Sequence, residues 1–375
     1  MREEIKNHLT EGIIPFWKGM RDDEFGGYYG WLDYDLNLDK KAEKGCILNS
    51  RITWFFANAY TLLKDESLLD EAKHGYAFLK DHCLDKEYGG IYWSLNYDGT
   101  PKDTTKHTYN QAFAIYALST YFDATGDTEA LELAKSLQQI IETHCTDEYG
   151  YLEAFTRDFQ PESNEKLSEN GVMAEKTMNT LLHVFEAYTE LYRVTKDPFT
   201  GDRLRFMMDL FADKVYNKEK GRQEVFFDRT WNTLIDLYSY GHDIETSWLI
   251  DRGTEVLGDP AYREKLLPIT GEIAENIYNT AYKNHSLLTE QFFTRLLFRP
   301  YLCIPGFFFL CIIPERRSVY FIFSCLLFLH RFQSCELSIC AAQYKVIHHI
   351  HQQVFPASLT IDLWKFRTEA GGKCD

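Results

Sequence analysis

Basic charge is scarce in this chain. Forty Lys and Arg stand against 56 Asp and Glu over 375 residues, a formal net charge of −16. That balance argues against nucleic acid and against anionic membrane surfaces as partners. Cysteine is also scarce where it would matter. Only Cys46, Cys83 and Cys145 occur before residue 290, and no C-x-x-C pair occurs anywhere, so no zinc or thioredoxin-like site is expected. The N-terminal stretch MREEIKNHLTEG lacks an apolar core of the secretory type, which leads us to expect a cytoplasmic protein. No glycine-rich phosphate loop, metal-ligand cluster or nucleophile elbow is visible, so no cofactor and no metal are expected. A membrane span needs about 20 continuous apolar residues. The longest apolar stretch here is cut by PERR at 314–317.

What is present is apolar and aromatic. Hydrophobic residues make up 45% of the chain, enough for a large core, and 24 Tyr and 7 Trp are among the rings. Most such rings belong to cores, though carbohydrate sites also use them as stacking platforms. The composition changes near residue 290. Residues 1–290 hold 31 Lys and Arg against 51 Asp and Glu, whereas residues 291–375 hold 9 against 5. The second part carries 12 of the 27 Phe, in runs such as PGFFFLCIIP and YFIFSCLLFLH, and has lost helical periodicity. We therefore divide the chain into a domain at 1–290 and an anomalous tail at 291–375. Its pattern is not that of a segment selected to finish a fold, as out-of-frame translation would produce.

The first part repeats. DDEFGGYYGWLD (22–33), DKEYGGIYWSLN (85–96) and TDEYGYLEAFTR (146–157) align on Phe25, Tyr88 and Tyr149, spaced by 63 and then 61 residues. Each reads as a short hairpin in which glycine supplies positive φ. Two helical segments lie between successive copies, and a fourth helix pair begins at HDIETSWLIDRGTEVLG. Hairpins alternating with helix pairs predict an all-α fold, a closed α/α toroid. Its inner helices are packed on nearly all sides, so their polar residues face the central cavity.

Three inner segments carry such residues. Arg51 lies beside the stripe Leu48, Ile52, Phe55, Ala59 and Leu62, where a guanidinium must be paired or face a polar cavity. Asn179, His183 and Glu186 form a stripe at i, i+4 and i+7. In SYGHDIETSWLID (239–251), Tyr238, Tyr240 and Gly241 read as loop, with a helix from Asp243 onward. His242 and Glu245 sit one turn apart there, a spacing that lets the carboxylate hold one ring nitrogen and leave the other for proton transfer. A helix N-terminus favours the neutral imidazole that a base requires. Tyr109 starts another inner helix on the same rim. Histidines, an arginine and acids in an aromatic cup suit abstraction of a proton next to a carbonyl, the arginine stabilising the enediolate oxygen.

The segments EGIIPFWKGMRDDEFGGYYGWLD, GCILNSRITWFF, EKTMNTLLHVFEAY and SYGHDIETSWL closely resemble the N-acylglucosamine 2-epimerase superfamily, and within it the cellobiose 2-epimerase branch, over residues 1 to about 288. The resemblance implies a single (α/α)6 barrel and cofactor-free epimerisation at C2 of the reducing-end glucose of β-1,4-linked disaccharides such as cellobiose, lactose and mannobiose. A monomer is expected. Matched by motif, Arg51 binds the reacting oxygens, His183 is the inner-helix histidine, His242 is a general acid/base and Glu245 its carboxylate neighbour. Asn179, Tyr109 and Trp248 match substrate-contacting positions.

The family serves the second face of the enediolate from a histidine in a segment like Lys-Cys-Pro-Tyr-His. Residues 291–375 hold no such segment: GGKCD differs from it, and His330, His348, His349 and His351 stand in other contexts. We therefore expect an incomplete ring beyond about residue 290 and little or no turnover. Alternatives are an N-acylglucosamine 2-epimerase or mannose isomerase; an inverting glycosidase using carboxylates about 6.5–9.5 Å apart, for which Asp103, Asp158 and Glu153 are candidates; and a non-catalytic sugar-binding relative.

Overall fold

The computed structural model describes residues 2–166, 172–283, 286–287 and 290–292. An N-terminal helix runs as α1 (Arg2–Asn7), widens into a π-turn at His8–Ile13 and continues as α2 (Ile14–Lys18). Four helix pairs follow: α3 (Cys46–Leu63) with α4 (Glu66–Phe78), α5 (Thr108–Thr125) with α6 (Thr128–His144), α7 (Met178–Thr195) with α8 (Pro198–Leu210), and α9 (Tyr240–Leu257) with α10 (Pro260–Thr280). The first member of each pair is inner. These pack in succession, α3 on α5, α5 on α7 and α7 on α9, each with its outer partner behind it. The arrangement is that of an α/α toroid, and two-residue hairpins such as 146–147 with 150–151 link the pairs. Among the described residues, no helix is long and apolar enough to cross a membrane. Ring closure and the anomalous tail concern residues that, beyond 292, lie outside those described.

Burial separates the two layers. From Thr108 to Tyr121 every residue of α5 is buried, whereas α6 buries only Ala130, Ala134, Leu137, Gln138 and Ile141. All four inner helices have 18 residues and end the same way. A left-handed residue stops the helix, Lys64, Gly126, Lys196 or Gly258, and an aspartate next to it caps the outer helix. Asp65, Asp127, Asp197 and Asp259 accept backbone amides of Ser67, Glu129, Thr200 and Ala261. A left-handed stop followed at once by an N-cap makes the tight reversal that an α/α pair needs.

The hairpins are tied to the inner helices by buried charge. Lys44, Lys106 and Lys176 each precede an inner helix by two residues and are fully buried. Their ammonium groups meet Asp22 at 2.6 Å, Asp85 at 3.1 Å and Asp147 at 2.8 Å. Each aspartate also accepts hairpin backbone amides, Asp22 from Glu24 and Phe25 for example. In the fourth hairpin Asn217 takes the aspartate's place, accepting from the amides of Glu219 and Lys220, and Tyr238 takes the lysine's place two residues before α9. Both charges are gone together. Removing one member of a buried pair strands the other's charge, whereas removing both is often tolerated. Lys44→Met is therefore expected to cost about 3–5 kcal/mol in urea denaturation. Asp22→Asn combined with Lys44→Tyr, the pairing used in the fourth hairpin, is expected to recover part of it. Equal losses in the single and double variants would contradict this account.

One boundary differs from the sequence expectation. Tyr240 and Gly241 are helical rather than loop, because α9 starts three residues before Asp243. Strand 237–239 pairs antiparallel with 290–292, fixing Ser239 in an extended conformation as the N-cap. That register turns the next residue directly into the helix.

Candidate active site

The polar residues of the inner helices converge near their N-terminal ends. On α5, Tyr109 and Phe113 lie one turn apart with ring centroids 4.9 Å from each other. Phe113 forms a platform: the Arg51 guanidinium of α3 lies 4.2 Å from its centroid, and the His183 ring of α7 lies 4.8 Å away. Tyr109 meets the His183 ring edge-on at 5.1 Å. A planar guanidinium on a ring face keeps its charge with little hydration, as a buried cationic site requires.

His183 is buried, and its Nδ1 lies 2.9 Å from Glu186 Oε2 one turn along the same helix. A carboxylate accepts only, so Nδ1 carries the hydrogen and Nε2 keeps its lone pair. Burial lowers the His183 pKa. Glu186 opposes that shift and Arg51 adds to it, which leaves the imidazole neutral.

Glu245 on α9 joins this cluster. Burial pushes its pKa well above the carboxylate range, the charge of Glu186 pushes the same way and Arg51 opposes. Burial thus favours the carboxylic acid form, a donor as well as an acceptor. Glu245 Oε2, Glu186 Oε1 and Asn179 Oδ1 are buried without a hydrogen-bond partner among the described residues. Buried acceptors of this kind are normally satisfied, and those of Glu186 and Glu245, grouped with Arg51 and His183, form a set that ligand hydroxyls would complete.

His242 and Glu245 share a helix turn but do not bond to each other as the sequence suggested. His242 is half-buried at the rim, and its Nδ1 lies 2.7 Å from the Ser239 hydroxyl. Glu245 points inward, to the field of Arg51 and Glu186. The i, i+3 spacing puts two residues on one face without fixing which way each leans. Trp248 lies one turn further along α9 and is half-buried. Sequence reasoning missed Phe113 as the platform and Ser239 as the partner of His242. The signals were Tyr-x-x-x-Phe on α5 and Ser-x-x-His across the α9 N-cap.

Two of the three carboxylates considered for a glycosidase are committed elsewhere. Asp103 pairs with Lys166 and accepts from Thr105 at 2.7 Å. Glu153 accepts the Thr177 amide at 2.7 Å and the Thr180 hydroxyl at 2.6 Å, binding the start of α7 to the preceding hairpin. Asp158 is exposed in a turn with Thr156.

Comparison with known proteins points the same way as this geometry. Residues 26–289 match the N-acylglucosamine 2-epimerase (GlcNAc 2-epimerase) family. A cellobiose 2-epimerase of Eubacterium cellulosolvens is 52% identical over 304 residues, covering 77% of this chain and 75% of that protein. Among solved structures, a sugar epimerase from a ruminal bacterium superimposes with a TM-score of 0.77 at 51% identity, over 78% of this chain and 75% of that one. The cellobiose 2-epimerase of Bacillus thermoamylovorans gives 0.75 at 46% identity with the same coverage.

Proposed function

The chain belongs to the N-acylglucosamine 2-epimerase family, and on that premise we propose that it moves the proton at C2 of the reducing-end glucose of cellobiose or a related β-1,4-linked disaccharide. The observation that carries this reading is the convergence of Arg51, His183, Glu186 and Glu245 around Phe113, with His242 on the rim above. In the open-chain sugar, His242 takes the C2 proton and the C2–H electron pair enters the enediolate. Negative charge develops on O1, where Arg51 compensates it and the neutral Glu245 donates a hydrogen bond. His183 Nε2 accepts from a sugar hydroxyl: burial keeps the ring neutral, and Glu186, accepting from Nδ1–H, fixes the tautomer that leaves Nε2 its lone pair. Tyr109, Asn179 and Trp248 contact the sugar. Reprotonation of C2 from the original face restores glucose, and from the opposite face gives the mannose epimer.

The opposite face needs a second acid, which the resemblance assigns to a C-terminal histidine. The family match ends at residue 289, and the sequence after it has no segment of that kind. We therefore propose that this chain exchanges the C2 proton on one face and inverts the centre slowly or not at all. The protein works as a monomer in the cytoplasm and needs no cofactor in this reading.

Arg51→Lys tests the role of the guanidinium. If Arg51 stabilises the enediolate, kcat for C2 exchange falls roughly ten- to a hundred-fold while KM changes less, because the interaction strengthens in the transition state. A change confined to KM would make Arg51 a ground-state binder. Unfolding of the variant would make it a structural residue.

A further inference from the structure

In two of the inner helices the fourth residue has the same task, whereas in α7 it is the apolar Leu181. In α3 it is Asn49, which accepts the Tyr28 amide of the preceding hairpin at 2.9 Å and donates to the Gly45 carbonyl at 3.0 Å. In α5 it is Gln111, which accepts the Ile91 amide at 2.6 Å and donates to the carbonyls of Ile91 at 2.8 Å and His107 at 3.4 Å. Each side chain thus clamps hairpin to helix, and its amide NH2 reaches the carbonyl four residues back. In α9 the fourth residue is Asp243, next to His242. It is fully buried, and its Oδ2 faces the Gln223 amide of its own hairpin at 3.4 Å. Its Oδ1 is buried without a hydrogen-bond partner among the described residues.

We infer that Asp243 is a positioning residue for His242, filling in the fourth repeat the clamp that Asn49 and Gln111 fill in the first two, and donating a hydrogen bond as they do. The equivalent acceptor is the carbonyl of Ser239, four residues back, whose hydroxyl meets His242 Nδ1. The clamp therefore holds the N-cap that holds the imidazole. A carboxylate cannot donate, so the task requires the acid form. The surroundings favour it. Burial raises the Asp243 pKa to about 8, bonds from Gln223 and the charge of Arg222 lower it, and the charge of Glu224 raises it. Tyr238 and Tyr240 flank the group on either side of the N-cap, and burial raises both phenols. His242 adjoins it in sequence.

The consequence for pH follows from the sign of the shift. An acid whose folded pKa is raised binds a proton in the folded state that the unfolded state gives up. Its stabilisation is complete below the unfolded value of about 4 and is lost as pH rises through about 8. Asparagine keeps both hydrogen bonds at every pH.

This inference rests on the function proposed above, and two readouts on the full chain keep the questions apart. In the first, melting temperatures of wild type and Asp243→Asn are compared between pH about 6 and about 9. The Asn variant is expected to gain on wild type as pH rises. In the second, uptake of solvent deuterium at C2 of cellobiose is followed against pH. Asp243→Asn is expected to stay within about three-fold of wild type near neutrality, its bonds being kept, and to lose less rate above pH 8. Asp243→Ala is expected to be roughly ten- to a hundred-fold slower, as when a positioning partner is removed. A folded Asp243→Asn protein as slow as Asp243→Ala would overturn the inference, since the carboxylate itself would then be required. So would a melting difference that ignores pH. Wild type without C2 exchange at any pH would count against the function, leaving the melting comparison to decide the clamp.

Discussion

A chimera that carries the C-terminal segment of the Eubacterium cellulosolvens cellobiose 2-epimerase in place of residues 290–375 is expected to interconvert the 2-epimers of cellobiose at least about a hundred-fold faster than the chain itself. The magnitude is that of one positioned general acid or base, about 10²–10⁴. A planar enediolate has two faces, and in the proposed mechanism His242, bonded to Ser239 at the start of α9, serves one of them. A donor on the other face turns proton exchange into inversion. The relevant measurement is the rate of mannose-epimer formation by each protein from the same concentration of cellobiose. A chain that already inverts C2 as fast as the chimera would show that the second acid lies within residues 1–375, and the one-face account would fall.

The second large effect concerns His242. In the chimera, His242→Ala is expected to remove both epimer formation and C2 exchange, by about a hundred- to ten-thousand-fold. In the unaltered chain it is expected to remove the exchange. Glu245→Ala is expected to cost less, about ten- to a hundred-fold, as for a group that supports the reacting oxygen without carrying the C2 proton. Turnover retained by a folded His242→Ala protein would take that residue out of the mechanism and leave His183 as the base to test next.

Much of the fold was legible because the chain says the same thing several times. The three aromatic–glycine hairpins and the apolar inner segments announce a repeat, and a repeat of that kind implies a toroid. The inner-helix polar residues Arg51, Asn179, His183 and Glu186 could be named for the same reason: polar groups are costly on a helix packed all round unless they serve something. What was not legible is direction. His242 and Glu245 sit on one turn, yet one leans to the rim and the other into the buried cluster. Only the cap geometry of Ser239 and the field of Arg51 separate them. The Asn49, Gln111 and Asp243 equivalence was hidden for a related reason. It appears only when the helices are aligned on their true first residues, and α9 starts earlier than its glycine suggested. The paired loss of Asp and Lys in the fourth hairpin likewise needed the contacts before Asn217 and Tyr238 could be matched to Asp22 and Lys44.

The carboxylates show the same limit. Asp103, Asp158 and Glu153 were candidates by residue type and by loop position. Their partners assign two of them to structure: Asp103 to Lys166, and Glu153 to the amide and hydroxyl at the start of α7. Burial pushes Glu153 up to about 7, but its two donors lie on the α7 turn that it caps, which leaves it a structural acid.

The central claim is that this cup moves the C2 proton, and one measurement meets it directly: incubation of the full chain with cellobiose in deuterium oxide, followed by NMR of the C2 position and of free glucose. The account predicts loss of the C2 proton signal with the glycosidic bond intact, at a rate that His242→Ala abolishes. Glucose release without exchange at C2, or binding of the sugar with neither, would contradict it.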